Sequence, residues 1–227
     1  LRNAEKHRRI GLFGGTFDPV HKGHIAAARL AADVLQLNRV VFVPAADPPH
    51  KNHTAAPFSH RVAMLELALA GTGDLFALSL VEAQRAAPSY TVETLIEFRK
   101  QLSGQRLFFI IGADSLLEIH LWYRYNQLFS LADFIVVSRP GTTDGQVASA
   151  IAGLSQGFFV KKPNFHWQSR DGASSLYYLT DGVLNISSSA LRSELAENKC
   201  PDTLPGQVLK YIQAHHLYQS TGKDRAI

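Results

Sequence analysis

Short apolar runs alternate with longer stretches in which alanine and leucine recur at helical spacing, and glycine or proline closes most of the short runs. Ile10 to Phe13 meets Gly14-Gly15 and is followed by Ile25 to Leu37, which predicts a strand, a glycine turn and a helix. Val40 to Val43 predicts the second strand, stopped by Pro44 ahead of a long proline- and histidine-rich loop from Ala45 to Pro57. A helix holding Val62, Leu65, Leu67 and Leu69, capped by Ser59, is expected to stop at Gly71-Thr72-Gly73 before a strand from Leu75 to Leu80. Ser89 or Thr91 starts a helix through Gln101, and Leu107 to Ile111 forms the next strand. Asp114 to Phe129 reads as an irregular helix, Phe134 to Val137 as a strand, Gln146 to Leu154 as a helix and Phe158 to Val160 as a short strand. Asn164 to Tyr178 mixes aromatic and polar residues without a usable period, so no element is assigned to it. Val183 to Ile186 is expected as the last strand, with Ser187-Ser188-Ser189 opening a helix over Leu191 to Leu195 and Pro205 opening another through His216.

Strands and helices alternating at this spacing predict an α/β fold: a doubly wound, mostly parallel sheet with helices on both faces and ligands at the carboxyl ends of the strands. No repeat or linker divides the chain, so one domain is expected over 1–227, with 1–9 as an N-terminal arm. A hydrophobic content of 46% with 19% charged residues excludes a disordered chain. The net charge of +4 and pI near 9.2 suit a polyphosphate substrate as well as nucleic acid. The densest basic cluster, Lys6 to Arg9, precedes the first apolar run and reads as solvated, so no nucleic-acid partner is expected. Cys200 is the single cysteine, which excludes an intrachain disulfide and suits a reducing cytoplasm. No run approaches the roughly 20 apolar residues that cross a bilayer, and no basic-then-apolar secretory signal opens the sequence, so a soluble cytoplasmic protein with no membrane partner is expected.

The chemistry concentrates in Gly14-Gly15-Thr16-Phe17-Asp18-Pro19-Val20-His21-Lys22-Gly23-His24, between the first strand and the first helix. Glycines let backbone amides approach an anion, and a helix amino end adds free N–H groups and a favourable dipole. The segment is neither a G-x-x-x-x-G-K-[ST] loop nor a G-x-G-x-x-G fingerprint. His21 and His24, three residues apart, share a helical face and can stabilise charge on a transferred phosphoryl group as cations or as neutral donors. A zinc site drawing on Asp18, His50, His53 or His60 is the competing reading; H-E-x-x-H is absent, and no resident metal is expected. Asp18 instead orders the loop or helps position hydrated magnesium. Lys51 is either a phosphate contact or a solvated loop lysine. Gly112-Ala113-Asp114-Ser115 follows a strand, where Asp114 can accept from ribose hydroxyls or cap the next helix. Trp122, Tyr123 and Tyr125 either stack on a base or fill core, and Arg192, after the three serines, either grips pyrophosphate or lies on a helix surface.

Five separated segments carry a resemblance: Gly14 to His24; Pro44 to Asn52; Ser89-Tyr90-Thr91 with Thr94-Leu95; Ile111 to Ser115 with Trp122; and Ile186 to Arg192. Together, in this order, they resemble the bacterial nicotinate-nucleotide adenylyltransferases, within the nucleotidyltransferases related to class I aminoacyl-tRNA synthetases. Ser189 and Leu191 stand where that family often has threonine and isoleucine, a change that keeps the hydroxyl and an apolar group. The resemblance implies a Rossmann-like fold and transfer of AMP from ATP, with accompanying Mg2+, to nicotinate mononucleotide. It implies His21, His24 and Arg192 as catalytic residues. It also implies an ATP site of Gly14, Gly15, Thr16, Phe17, His21, Gly23, His24, Gly112, Asp114, Ser187, Ser188, Ser189 and Arg192. The acceptor site would comprise Asp18, Lys51, Ser89, Tyr90, Thr91 and Trp122. A pantetheine-phosphate adenylyltransferase is the neighbouring chemistry, and a regulatory nucleotide-binding protein the alternative outside catalysis.

Overall fold

The computed structural model describes residues 8–48, 54–86, 88–154, 158–182, 184 and 186–219. Among these residues eight strands form one sheet: β1 (Arg9–Gly15), β2 (Arg39–Pro44), β3 (Phe76–Leu78), β4 (Arg106–Gly112), β5 (Asp133–Val137), β6 (Phe159–Lys162), β7 (His166–Ser169) and β8 (Ser175–Leu179), ordered β3-β2-β1-β4-β5-β8-β7-β6. The pairs from β3 to β8 are parallel, and β6 and β7 then extend the sheet antiparallel. The sheet is thus Rossmann-like and mostly parallel, with helices on both faces.

Alternation within β4 divides the core between the two helical layers. Leu107, Phe109 and Ile111 face one cluster, where Leu95 and Phe98 of α3 (Thr91–Gln101) pack with Leu116 of α4 (Ala113–Leu117) and Val147 of α6 (Asp144–Gly153). Phe108 and Ile110 face the other. That cluster holds the alanine stripe of α1 (Lys22–Leu35), Met64 and Leu65 of α2 (Phe58–Leu69), Leu191 of α7 (Ser188–Ala196) and Val208 and Ile212 of α8 (Gly206–Ala214). Small alanines at Ala27, Ala28, Ala31 and Ala32 allow α1 to lie close against the strands. A left-handed Gln36 (φ 52°) stops it.

Several expectations are corrected. Arg9 belongs to β1, not to an arm; its guanidinium lies 4.9 Å from the Phe108 ring centroid. Helix α1 begins at Lys22, three residues ahead of Ile25, because His21 supplies the extended cap position. Pro57, not Ser59, caps α2, as proline suits a helix entry where the N–H has no partner to lose. The strand expected from Leu75 to Leu80 shrinks to Phe76–Leu78 between 3₁₀ turns at Gly73–Leu75 and Val81–Gln84. The irregular stretch after Asp114 splits into α4, a 3₁₀ turn at Ile119–Leu121 and α5 (Tyr125–Leu131), with a left-handed Arg124 between them. The last strand lies within the unassigned stretch, at Ser175–Leu179, rather than at Val183 to Ile186. Leu184 and Ile186 belong to no strand, and Val183 and Asn185 lie outside the described residues.

Candidate active site

A cleft of about 560 Å³ opens where β1 and β4 end, at the position where the chain's crossovers diverge to the two sides of the sheet. Its floor is the Gly14 to His24 segment. A Cβ on Gly14 would lie 2.8 Å from Phe109 Cζ, so glycine there lets the loop leave the sheet flush against that ring. Phe17, buried and left-handed (φ 51°), sets its ring edge-on to Phe13 and His24, with centroids 5.5 and 5.0 Å apart. Asp18 is 3% exposed: Oδ2 accepts from the Ala55 amide at 2.7 Å, and Oδ1 from the Ala56 amide at 3.1 Å and the Tyr218 hydroxyl at 2.6 Å. The carboxylate therefore orders this loop against the segment entering α2. Beside it Arg61, only 1% exposed, donates to Thr16 O at 2.8 Å, and burial lowers its pKa while Asp18 raises it.

The two histidine rings stack with centroids 3.7 Å apart. His24 Nδ1 accepts from the His21 amide at 3.3 Å, the returning arm of a capping box with histidine in place of the usual Glu or Gln. With Nδ1 an acceptor, a neutral His24 carries its proton on Nε2. Both ring nitrogens of His21 are buried without a hydrogen-bond partner among the described residues. Burial, then the Arg139 guanidinium, lowers His21 to about 3, and burial, then His21 and Arg139, holds His24 well below the ordinary imidazole value. Of the two forms the sequence left open, the free protein therefore holds the neutral donor pair. Gly23 does not line the cleft. A Cβ there would come within 2.9 Å of His21 Nδ1, so this glycine makes room for the ring behind the floor.

Arg192 is held from the loop side. Its Nη1 donates to Asp18 O at 2.7 Å and its Nη2 to Ser189 Oγ at 3.2 Å, while Ser188 Oγ donates to Pro19 O at 3.0 Å. Ser187 caps α7, accepting from the Ala190 amide at 3.4 Å. Across the cleft, Gly112 is hemmed by Asp114 and Arg139; an added Cβ would sit 2.2 Å from Asp114 Oδ1 and 2.9 Å from Arg139 Nε. Asp114 is exposed toward solvent with Arg139 Nε 4.0 Å away, and Gly112 rather than Asp114 occupies the cap of α4.

At the other end Ser89, Tyr90 and Thr91 open α3, whose amino end has no side-chain cap hydrogen bond among the described residues. Tyr90 stacks obliquely on Tyr123, centroids 4.4 Å apart, and Trp122 completes the aromatic wall. Tyr125 turns away and packs on the core. Glu82, in the same wall, is 9% exposed. Its Oε1 accepts from Thr94 Oγ1 at 2.7 Å, its Oε2 is buried without a partner among the described residues, and burial raises its pKa.

The cleft thus gathers Gly14 to Asp18, His21, His24, Ser89 to Thr91, Gly112, Asp114, Trp122, Ser187 to Ser189 and Arg192. Lys51, His50 and His53 lie outside the described residues. His60 is engaged elsewhere, its Nδ1 2.9 Å from Tyr211 Oη, and among the described residues no three His, Cys, Asp or Glu side chains converge as metal ligands. Sequence reasoning missed Glu82 and Arg139 in the wall and Arg61 and Tyr218 beneath it. Arg139 had a signal: it lies two residues beyond the apolar strand Phe134 to Val137, where ligands of parallel sheets lie. The other three carry no local mark.

Among the described residues no helix is long and apolar enough to cross a membrane. Residues 12–194 match the cytidylyltransferase-like family. The chain is 38% identical over 212 residues to a Pelobacter propionicus protein described as "Probable nicotinate-nucleotide adenylyltransferase", covering 92% of this chain and 98% of that one. It is 40% identical over 212 residues to a Solibacter usitatus protein with the same description, covering 92% and 99%. Among solved structures, the Plasmodium falciparum nicotinic acid mononucleotide adenylyltransferase complexed with NaAD superposes with a TM-score of 0.71 at 18% identity, covering 93% of this chain and 98% of that chain, a likeness of fold. With the motif order, the near full-length relatives and the sheet all in agreement, the chain belongs to the nicotinate-nucleotide adenylyltransferase family of the nucleotidyltransferase superfamily.

Proposed function

We propose that the chain, acting as one nucleotidyltransferase domain in a reducing cytoplasm, transfers the adenylyl group of ATP to nicotinate mononucleotide, forming deamido-NAD and pyrophosphate. The observation that carries this reading is the buried, stacked pair His21 and His24 in the glycine-led floor of one cleft, with an aromatic wall at its opposite end. The acceptor's phosphate oxygen attacks the α-phosphorus of ATP as the bond to the β-phosphate oxygen breaks. A phosphate monoester already carries about two negative charges, so the site needs no base to create the nucleophile. It needs positioning and donors aimed at the charge that moves onto the departing oxygen. The neutral imidazoles can each donate one N–H to that charge, and Arg192 supplies a fixed cation for the leaving pyrophosphate.

Magnesium belongs to the ATP substrate in this scheme. Asp18, the carboxylate nearest the floor, is taken up by three donors, so triphosphate oxygens and water are the natural ligands of the ion. On the acceptor side, the uncapped amino end of α3 at Thr91 offers backbone N–H groups and a positive dipole to a carboxylate, which favours nicotinate over its amide. Incubation with ATP, nicotinate mononucleotide and Mg2+, followed by chromatography, should yield deamido-NAD and pyrophosphate in equal amounts. Folded protein that binds both substrates and makes neither product would end the catalytic reading in favour of a regulatory nucleotide binder. Equal specificity constants for nicotinate and nicotinamide mononucleotides would end the acceptor assignment alone.

A further inference from the structure

Two hydrogen bonds separate Arg192 from a residue 26 positions further along the chain that does not line the cleft. Beyond α8, His216 adopts a left-handed conformation (φ 51°) and the Leu217 amide returns to Ile212 O at 3.0 Å, a left-handed helix stop. Tyr218 is left-handed again (φ 64°), an uncommon state for a bulky side chain. These turns bring its half-buried phenol to Asp18, with Oη donating to Oδ1 at 2.6 Å across 200 residues of sequence.

Asp18 works in two directions. Its carboxylate takes the Tyr218 hydroxyl together with the Ala55 and Ala56 amides. Its main-chain carbonyl takes Arg192 Nη1, and the next carbonyl, Pro19 O, takes Ser188 Oγ. The side chain of Asp18 therefore fixes the peptide on which the guanidinium rests. Depriving a buried carboxylate of one donor costs free energy, and any shift of Asp18 that relieves the cost is transmitted to the carbonyl on the same residue.

We propose that Tyr218 is a positioning residue: through Asp18 it holds Arg192 at the geometry that binds the ATP phosphates. The proposal rests on the assignment of Arg192 to ATP. It extends the functional site to a residue outside every motif of the cleft and predicts energetic coupling between two side chains that do not touch.

The test is a double-mutant cycle on the full chain with Tyr218→Phe, which removes one hydroxyl, and Arg192→Lys. Assays are run at a temperature at which thermal unfolding shows every variant fully folded. Tyr218→Phe is expected to lower kcat/KM for ATP about tenfold, the loss of one hydrogen bond to a charged group. In the Arg192→Lys background the same change is expected to have an effect of less than threefold. Trp122→Ala, at the acceptor end, should combine with Tyr218→Phe multiplicatively. A role in stability alone would leave KM for ATP unchanged and give no coupling to Arg192. Independent effects of Tyr218→Phe and Arg192→Lys, or a Tyr218→Phe value within twofold of wild type, overturn the proposal. Titration calorimetry with ATP and no acceptor reads the same coupling without turnover. A chain that binds ATP but makes no product would thus refute adenylyl transfer while still deciding the role of Tyr218.

Discussion

Lowering the pH should destabilise this protein through its stacked histidines, and the size of the effect can be worked out. An imidazole of ordinary pKa, about 6.5, is charged in the unfolded chain at pH 5, whereas His21 in the folded chain stays neutral until about pH 3. The unfolded state therefore binds more protons throughout that window. The folded-state pKa is depressed, so the associated stability is complete above about pH 6.5 and drains away as the pH falls toward 3. At 1.36 kcal/mol per unit, the loss from His21 alone between neutrality and pH 5 is about 2 kcal/mol, and His24 acts in the same direction. Urea unfolding of wild type and His21→Asn at several pH values between 7.5 and 5 isolates it. The variant is less stable or more stable by some constant amount from packing, but the gap should shift by about 2 kcal/mol against wild type as the pH falls. Parallel stability curves would show that the ring is not held neutral by burial, and the donor role assigned to the pair would lose its basis.

Other perturbations separate the parts of the cleft. His21→Ala and His24→Ala should each reduce kcat by about 100-fold when assayed where both variants are folded, and an unchanged kcat in either would remove that ring from the reaction. Arg192→Ala should raise KM for ATP and reduce kcat, with Arg192→Lys recovering only part; full recovery by lysine would mean that charge without the guanidinium fork suffices. Gly23→Ala should leave the melting temperature near wild type, since helix propensity offsets some of the crowding, yet lower kcat because the new Cβ displaces His21; an unaffected kcat would show that the ring has slack. Glu82→Gln keeps an acceptor for Thr94 but removes the buried carboxyl group, and should raise KM for nicotinate mononucleotide about tenfold while sparing KM for ATP. Equal changes in both constants would reduce Glu82 to a general structural role.

What could be read from the chain was whatever chemistry leaves a local pattern. Gly14-Gly15 before a helical alanine stripe announces a strand, a turn and a helix, and Ser187 before Leu191 announces a cap, because both are set by neighbours in sequence. The β7–β8 hairpin escaped because His166 to Ser169 and Ser175 to Leu179 mix polar and aromatic residues along each strand and show little apolar alternation. Val183 to Ile186 has a strand's composition but lies past the strand that completes the parallel run. Arg61, Glu82 and Tyr218 escaped for another reason. A charged or phenolic residue on a helix or turn is solvated by default, and its burial is decided by partners such as Thr16, Thr94 and Asp18 that are 45, 12 and 200 residues away.

The order of the strands also sets when in the life of the chain the cleft can exist. β1 leads into the floor of the cleft, yet one of its two flanks is β4, with Arg9 opposite Arg106 and Ile10 opposite Leu107. Until those residues emerge from the ribosome, a nascent chain has an open edge at β1 and no wall opposite the histidines. The clamp on Asp18 waits longer still, for Tyr218. Contacts this far apart in sequence carry a large loop-closure entropy and form slowly, so a long interval separates the synthesis of Gly14 to His24 from the completion of its surroundings. During that interval the apolar residues of β1 are the segment most in need of protection from pairing with another chain.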